Sequence, residues 1–342
     1  MPTPLGKVLT GLERGVDRAV DATASALDTG VQRAAQVVER GAKAVFGSSG
    51  ASAFDGAVQS AARAIESGVS EVRAGVDTSM GPLDPAPALK RPVVMITGLT
   101  MAAKSFDPMA QHLASNAKNG PVAVYVVADG QFHQGSVTGP AMDAKALASA
   151  KLFEVQYMDA NASPTEKAPQ IAQALTAIGR ATGTADVDVV CHSAGCTDFR
   201  LYLQQRQGQT GIVGIDHAVF IGPASHGTEM GNLGKALGGP LGLDAAGAEL
   251  AVGAPLVGQL NDTWASQRDQ VKGGVTVIGL TGAPTASANG LTDGDGFMPI
   301  DEVGMPGATT VTLHGNNPTP LMHLWEVQYS GVINAVGRAL AD

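Results

Sequence analysis

Basic charge is scarce in this chain of 342 residues: 22 Lys and Arg stand against 31 Asp and Glu, a formal net charge of −9. A nucleic-acid binder needs a basic face to replace phosphate counterions, so that class is excluded, and attraction to an anionic membrane surface is disfavoured. Cysteine is scarcer still. Cys191 and Cys196 are the only two, too few for a disulfide framework or a four-cysteine zinc site. Aromatic residues make up 4%, so the core has to be built from Ala, Val, Leu and Gly rather than from packed rings. No apolar run reaches the ~18 residues of a membrane-spanning helix. Phosphate loops, H-E-x-x-H zinc motifs and EF-hand loops are missing, and no cofactor or metal is expected. The N-terminal MPTPLGKVLTGLERG lacks the apolar stretch of a cleaved secretory signal. Cytoplasmic residence, or export without a cleaved signal, is the expectation.

Glycine is abundant, at 44 residues, without the three-residue period of collagen. It must serve turns and close backbone contacts. Residues 1–88 differ in texture from the rest. Leu5, Val8, Leu12, Val16 and Val20 begin an apolar stripe at helical steps, and Leu5, Val16, Leu27 and Val38 recur every eleven residues. GSSG at 47–50 interrupts it, and a second stripe runs from Phe54 to Val76. The spacing predicts a long helix, a turn and a shorter helix, followed by a Pro-rich linker over 79–92. An amphipathic hairpin with an Ala-rich face needs something to pack on, so self-association or docking on the remainder of the chain is expected.

From residue 89 to 342 short β-rich runs alternate with helical stretches. Strands are predicted at 92–97, 121–127, 152–158, 187–191, 217–222, 275–280 and 309–314. Several are apolar without alternation, as strands buried on both faces are. A helix is predicted over 171–181, with S-P-T-E at 163–166 a possible capping box and Pro169 arguing for a later start. Such alternation gives an α/β fold: a mostly parallel sheet covered by helices on both faces.

The sharpest local signal is DVDVVCHSAGCTDFRLYL over 186–203. A buried strand runs into Cys191-His192-Ser193-Ala194-Gly195 and a helix follows, the strand–turn–helix context of the G-x-S-x-G nucleophile elbow. The tight turn demands small residues near the serine; Gly195 fits, and Cys191 stands in for the first glycine.

Three further stretches join this one. MITGLT (95–100) resembles the H-G-L-T oxyanion loop, with Thr97 in place of the histidine. FIGPASHGTEMGNLG (220–234) resembles the A-P-x-N-H-G-T segment of one lipase class. DGDGFMPIDEV and VTLHGNNPTPLMHLWEV, within 293–327, resemble the acid-then-histidine end of the same fold. Over 93–342 the chain therefore resembles the α/β-hydrolase serine lipases and esterases, in particular the bacterial triacylglycerol lipase group. The resemblance implies an acyl-enzyme mechanism on small-molecule or lipid esters, with Ser193 as nucleophile, Asp295 as acid and His323 as base. Asp293 and His314 are the alternatives for the last two. It implies oxyanion donors at the backbone N–H groups of Leu99 and Ala194. Residues 228–262 take the position of a cap, in which Leu233 and Leu237 would line an acyl pocket. Other acyl-transfer activities share this fold and triad, and an inert hydrolase domain serving an interaction role is the non-enzymatic alternative. Cys191 and Cys196 are expected to be buried free thiols, and His192 a packing residue.

Overall fold

Each of the seven predicted strands becomes a parallel strand of one sheet. The computed structural model describes residues 80–99, 101–228, 244–287, 290–315 and 322–341. The predicted N-terminal hairpin and the cap residues Leu233 and Leu237 lie outside them. The strands are β1 (Val93–Ile96), β2 (Val122–Val126), β3 (Gln131–Gln134), β4 (Leu152–Gln156), β5 (Asp186–His192), β6 (Gly214–Ile221), β7 (Val271–Thr281), β8 (Ala283–Ser287), β9 (Gly290–Gly294) and β10 (Thr309–His314). The helices are α1 (Asp107–Ala114), α2 (Ala144–Ser149), α3 (Pro164–Thr182), α4 (Ala194–Gln205), α5 (Asp244–Leu250), α6 (Pro255–Asp262), α7 (Trp264–Arg268), α8 (Ile300–Val303), α9 (Met322–Trp325) and α10 (Ser330–Ala341).

The main sheet has the order β10-β7-β6-β5-β1-β4-β2-β3, and β8 and β9 form a separate antiparallel hairpin. Only β3 runs antiparallel in the main sheet, against β2. From β1 the chain passes to β2 and β3 at one edge, returns to β4 beside β1, then crosses to β5 and steps outward through β6 and β7 to β10, so the winding reverses between β1 and β5. Open α/β sheets bind ligands at the carboxyl ends of their strands at such a point.

Alternate residues of each central strand feed different sides of the core. Val94, Val189 and Cys191 face the cluster that includes Ile171 and Leu175 of α3 and Phe199 of α4. Val93, Met95 and Val190 face Met109 of α1 and Val332 and Val336 of α10. Fully burying one such aliphatic or aromatic side chain stabilises the fold by about 1.5–3 kcal/mol, so dense aliphatic packing can replace the rings the composition lacks. Among the described residues no helix is long and apolar enough to cross a membrane.

Four features depart from the sequence reading. Strand β3 (QFHQ) is polar because it is an edge strand, half exposed and paired on one side. Apart from Leu291, the β8–β9 hairpin is built from small and polar residues, and it carries no apolar period. Helix α3 starts at Pro164, not after Pro169: the capping box forms, with Glu166 Oε2 accepting the Ser163 N–H at 3.0 Å, and Pro169 sits inside. Finally, the segment after His323 is not one helix. It breaks into α9, a 3-10 turn over Glu326–Gln328 and, after extended Tyr329, α10. This break buries Glu326, Val327 and Tyr329 together.

The predicted linker is also more ordered than its proline content suggests. Ser330 Oγ accepts the Met80 N–H and donates to Gly81 O; Asn334 accepts the Asp84 N–H and donates to Pro82 O. Residues 80–88 thus form a strap along α10.

Candidate active site

Strand β5 delivers Ser193 to the top of the sheet. Its backbone has φ 55° and ψ −129°, and it is the only non-glycine residue with positive φ among those described. Such a conformation costs on the order of 1–3 kcal/mol and persists only where the surroundings enforce it. Here the Ser193 N–H bonds to Ile221 O at 2.9 Å. The absence of two side chains does the rest. A Cβ at position 195 would overlap the Thr97 carbonyl oxygen, and one at position 98 would stand 3.0 Å from Ser193 Cβ. Glycine at both positions lets the end of β1, the turn and the start of α4 press together. Cys191, fully buried in strand geometry, needs no such freedom, which explains why a cysteine is tolerated there. Cys196 is likewise a buried free thiol, and burial pushes the Cys191 thiol well above its usual range.

His323, on α9, approaches from the other side. Its Nε2 lies 2.7 Å from Ser193 Oγ, and its Nδ1 lies 2.8 Å from Asp295 Oδ2. Asp295 is fully buried. Its Oδ1 accepts the N–H groups of Phe297 and Met298 at 2.8 and 2.7 Å, and its backbone oxygen accepts the His323 N–H at 3.0 Å. Since a carboxylate accepts, Nδ1 carries a proton in either charge state, and in the neutral imidazole Nε2 is left to accept from the serine hydroxyl. The structure thus brings Ser193, His323 and Asp295 into one hydrogen-bonded chain.

The alternatives lie elsewhere. Asp293 Oδ1 accepts from the N–H groups of Gly282 and Gly294, at 2.7 and 2.9 Å, and closes the β8–β9 hairpin. His314 ends β10, exposed, with Nδ1 3.0 Å from Thr281 Oγ1. His226 is exposed on the loop after β6. His133 and His217 are strand residues.

Leu99 and Ala194 sit beside the serine. Ala194 is the first residue of α4, so its N–H belongs to the positive end of the helix. Leu99 follows Gly98 in a turn closed by Met101 N–H to Gly98 O, and Thr97 Oγ1 donates to Met101 O at 3.2 Å. Thr97 therefore ties down the loop in which the resembling lipases carry a histidine. Leu99 packs with Ala194 against Ala246 and Leu250 of α5. These two apolar residues of the predicted cap pack beside the residue that follows the serine.

Three groups escaped the sequence reading as parts of the site. His192 does more than pack: its ring lies 4.8 Å from that of His323, and its Nε2 donates to His323 O at 3.1 Å. Phe297 covers the imidazole at 5.3 Å between ring centres. Glu326, fully buried, places Oε2 3.4 Å from His323 Nδ1. The signal was the H-L-W-E spacing, which puts residues three apart on one helical face. Although His192, His323 and Glu326 cluster closely enough to suggest a cation site, His192 Nε2 and His323 Nδ1 already point hydrogens at oxygen acceptors.

Burial alone would lower the His323 pKa from 6.5, but the Asp295 and Glu326 carboxylates outweigh it and raise it to about 10. Burial holds His192 below its usual value.

Residues 87–239 match the model of a family described as alpha/beta hydrolase of unknown function, DUF915. The match includes the elbow but not Asp295 or His323. No curated protein matches the sequence. Among solved structures, the lin2722 gene product of Listeria innocua superposes with a TM-score of 0.50 at 16% identity, over 73% of this chain and 93% of that one. A lipase of Bacillus licheniformis, BlEst2 in mature form, gives 0.46 at 15% identity over 76% and 96%. Phospholipase PlaB of Legionella pneumophila gives 0.48 at 13% over 74% and 59%. The chain has the α/β-hydrolase fold, and the family match supports a hydrolase.

Proposed function

We propose that the protein is a serine carboxylester hydrolase of lipase or esterase type. The observation that carries this reading is the Asp295–His323–Ser193 hydrogen-bonded chain ending on a serine held at φ 55°. Ser193 Oγ attacks the acyl carbon while His323 Nε2 takes its proton. Asp295 holds the imidazole in the required tautomer and stabilises the imidazolium. The N–H groups of Leu99 and Ala194 bind the oxyanion. His323 then gives its proton to the leaving alcohol as the ester C–O bond breaks. Water, deprotonated by the same imidazole, hydrolyses the acyl-enzyme. An acyl chain would run along Ala246 and Leu250, with Leu233 and Leu237 completing its pocket. Residues 1–88 would stand apart from the chemistry and mediate self-association.

The test is a fluorophosphonate probe read out by mass spectrometry, followed by a panel of p-nitrophenyl esters of increasing chain length. Covalent mass on Ser193 and hydrolysis of at least one ester are expected. An unlabelled serine refutes the reading. Product transfer to an added alcohol or amine in preference to water would make the protein an acyltransferase.

A further inference from the structure

Helix α5 meets the catalytic end of the sheet with one face and the rest of the fold with its flank. Ala246 and Leu250, one turn apart on that face, pack with Leu99 and Ala194. Glu249 lies on the flank, and its Oε2 accepts the Thr165 N–H at 2.9 Å. Thr165 is the second residue of α3, so its N–H is one of the four that a helix leaves without an internal partner. The capping box already serves this end of α3 through Ser163 and Glu166. Glu249 is a further acceptor, brought in from 84 residues along the chain, at the helix end where negative charge is favoured.

With seven residues, α5 is too short to be stable without packing. Its C-terminal end is fixed. Leu250 O accepts the Thr228 N–H at 2.8 Å, and Gly227, at φ +83°, lets the loop after β6 pass where a Cβ would stand 2.7 Å from Ala251 O. Glu249 ties the side of the helix, and the turn it grips is itself anchored. Lys167, two residues after Thr165 and buried, donates from Nζ to Ala160 O at 2.8 Å and lies 3.8 Å from Asp198 Oδ2 on α4. Helix α4 is the one that begins at Ala194. The three helices thus form a frame around the apolar cluster, and the Glu249 bond is its exposed side.

The cluster inside the frame is closed: Ala246 is 0% exposed, Leu250 1% and Ala194 4%. A short acyl group asks little of it. Each further methylene along Ala246 and Leu250 requires α5 to move outward, away from α4.

We infer that Glu249 is a specificity-determining residue that limits acyl-chain length, because it holds α5 against Leu99 and Ala194 by gripping the N-terminus of α3. The inference rests on the serine–histidine reading above. Glu249 acts through α5 as a positioning residue, so it governs which esters are cleaved fast rather than whether they are cleaved.

The experiment measures kcat and KM on p-nitrophenyl esters from acetate to octanoate, in the full chain, for wild type, E249Q, E249A and E249K. The rate at which a small fluorophosphonate labels Ser193 is followed in parallel. Wild type should prefer the short esters. E249A loses the acceptor and should raise the octanoate-to-acetate ratio of kcat/KM by about fivefold, the scale of a lost helix cap, through a lower KM for octanoate. E249Q keeps an oxygen able to accept the Thr165 N–H and should stay within about twofold of the wild-type ratio. E249K, which brings positive charge to the positive end of α3, is the second unlatching variant and should shift the ratio at least as far as E249A. Labelling of Ser193 should be alike in all four. An E249A that slows both esters and the labelling by one common factor makes Glu249 a structural support only, and the inference falls. It falls too if E249Q behaves as E249A, or if wild type already prefers octanoate. A wild-type protein that hydrolyses no ester and carries no label on Ser193 would overturn the serine reading itself, and this inference with it.

Discussion

Gly195 lies so close to Thr97 that a single added methyl group at position 195 would overlap the Thr97 carbonyl oxygen and stand 2.9 Å from that of Ile96. Both obstacles are backbone, so neither can swing aside. Gly195→Ala should therefore displace α4 from β1, at a cost of about 1–3 kcal/mol in stability. It should also pull the Ala194 N–H away from its place opposite Leu99. A fall in the melting temperature together with at least a tenfold slower labelling of Ser193 is the expected result. An unchanged melt would show that the elbow has slack the packing does not suggest.

Ser193 allows the strain to be separated from the chemistry. Ser193→Ala removes the hydroxyl but keeps a Cβ at φ 55°; Ser193→Gly removes both. Neither should hydrolyse esters at a measurable fraction of the wild-type rate. The glycine variant should melt higher than the alanine variant, because glycine occupies positive φ without a steric penalty. Thermal denaturation of the pair checks this, and equal melting temperatures would mean that the serine backbone is not strained.

The histidine and aspartate alternatives make a sharper contrast. His323→Ala should slow ester hydrolysis by roughly 10³–10⁴-fold. His314→Ala and Asp293→Asn should leave the rate within several-fold, since the first loses a strand-end contact with Thr281 and the second a hairpin-closing acceptor. Steady-state kinetics on a soluble ester decides. A silencing His314→Ala would move the base to the end of β10.

The pH dependence follows from His323. A base must be neutral to accept the serine proton, and Asp295 and Glu326 hold this one charged up to about 10. The value of kcat/KM should consequently climb as pH rises through the alkaline range. Stability runs the other way. A histidine whose folded pKa is raised stabilises the fold fully below its ordinary value of 6.5, and that contribution is lost as pH rises through about 10. Melting curves of wild type and His323→Ala should converge over that interval, while a rate already flat at neutral pH would show the carboxylates acting on Nδ1 less strongly than the geometry implies.

How far these elements were legible in the sequence depended on how local their causes are. The central parallel strands were visible because burial on both faces forces apolar runs, and the edge strand β10, which has no buried residue, was visible by its β-branched Thr and Val residues. Ser193 was visible because its turn has a sequence signature, with glycine where the helix meets the strand. Asp295 and Asp293 are two residues apart in one turn-rich stretch, and only the resemblance, not the residue types, favours one. The structure separates them by the direction of their backbone donors. Glu326 was hidden for a different reason. The H-L-W-E spacing puts it on the His323 face, but it lay within what reads as a continuous helix, and the space it fills depends on Gly222 at the end of β6, about a hundred residues away.

That strap also sets where the N-terminal region can be removed. A cut at Ala88 would follow the predicted linker, but it would strip Ser330 and Asn334 of the backbone partners that residues 80–84 provide. The Arg338–Asp84 pair would go too; both side chains are more than half exposed, so it contributes little. The strap covers the outer side of α10, whose inner side packs on the sheet through Val332, Ile333 and Val336. A variant beginning at Met80 should therefore keep wild-type melting and ester hydrolysis, while one beginning at Ala88 should melt several degrees lower, since a loss of 1 kcal/mol shifts the midpoint of a domain this size by about 2–4 °C. Both should still label at Ser193. Comparing the elution volumes of the full chain and the Met80 variant tests whether residues 1–79 mediate self-association, and identical oligomeric states would remove that role from them. An unlabelled Met80 variant would show instead that the same residues help to complete the catalytic domain.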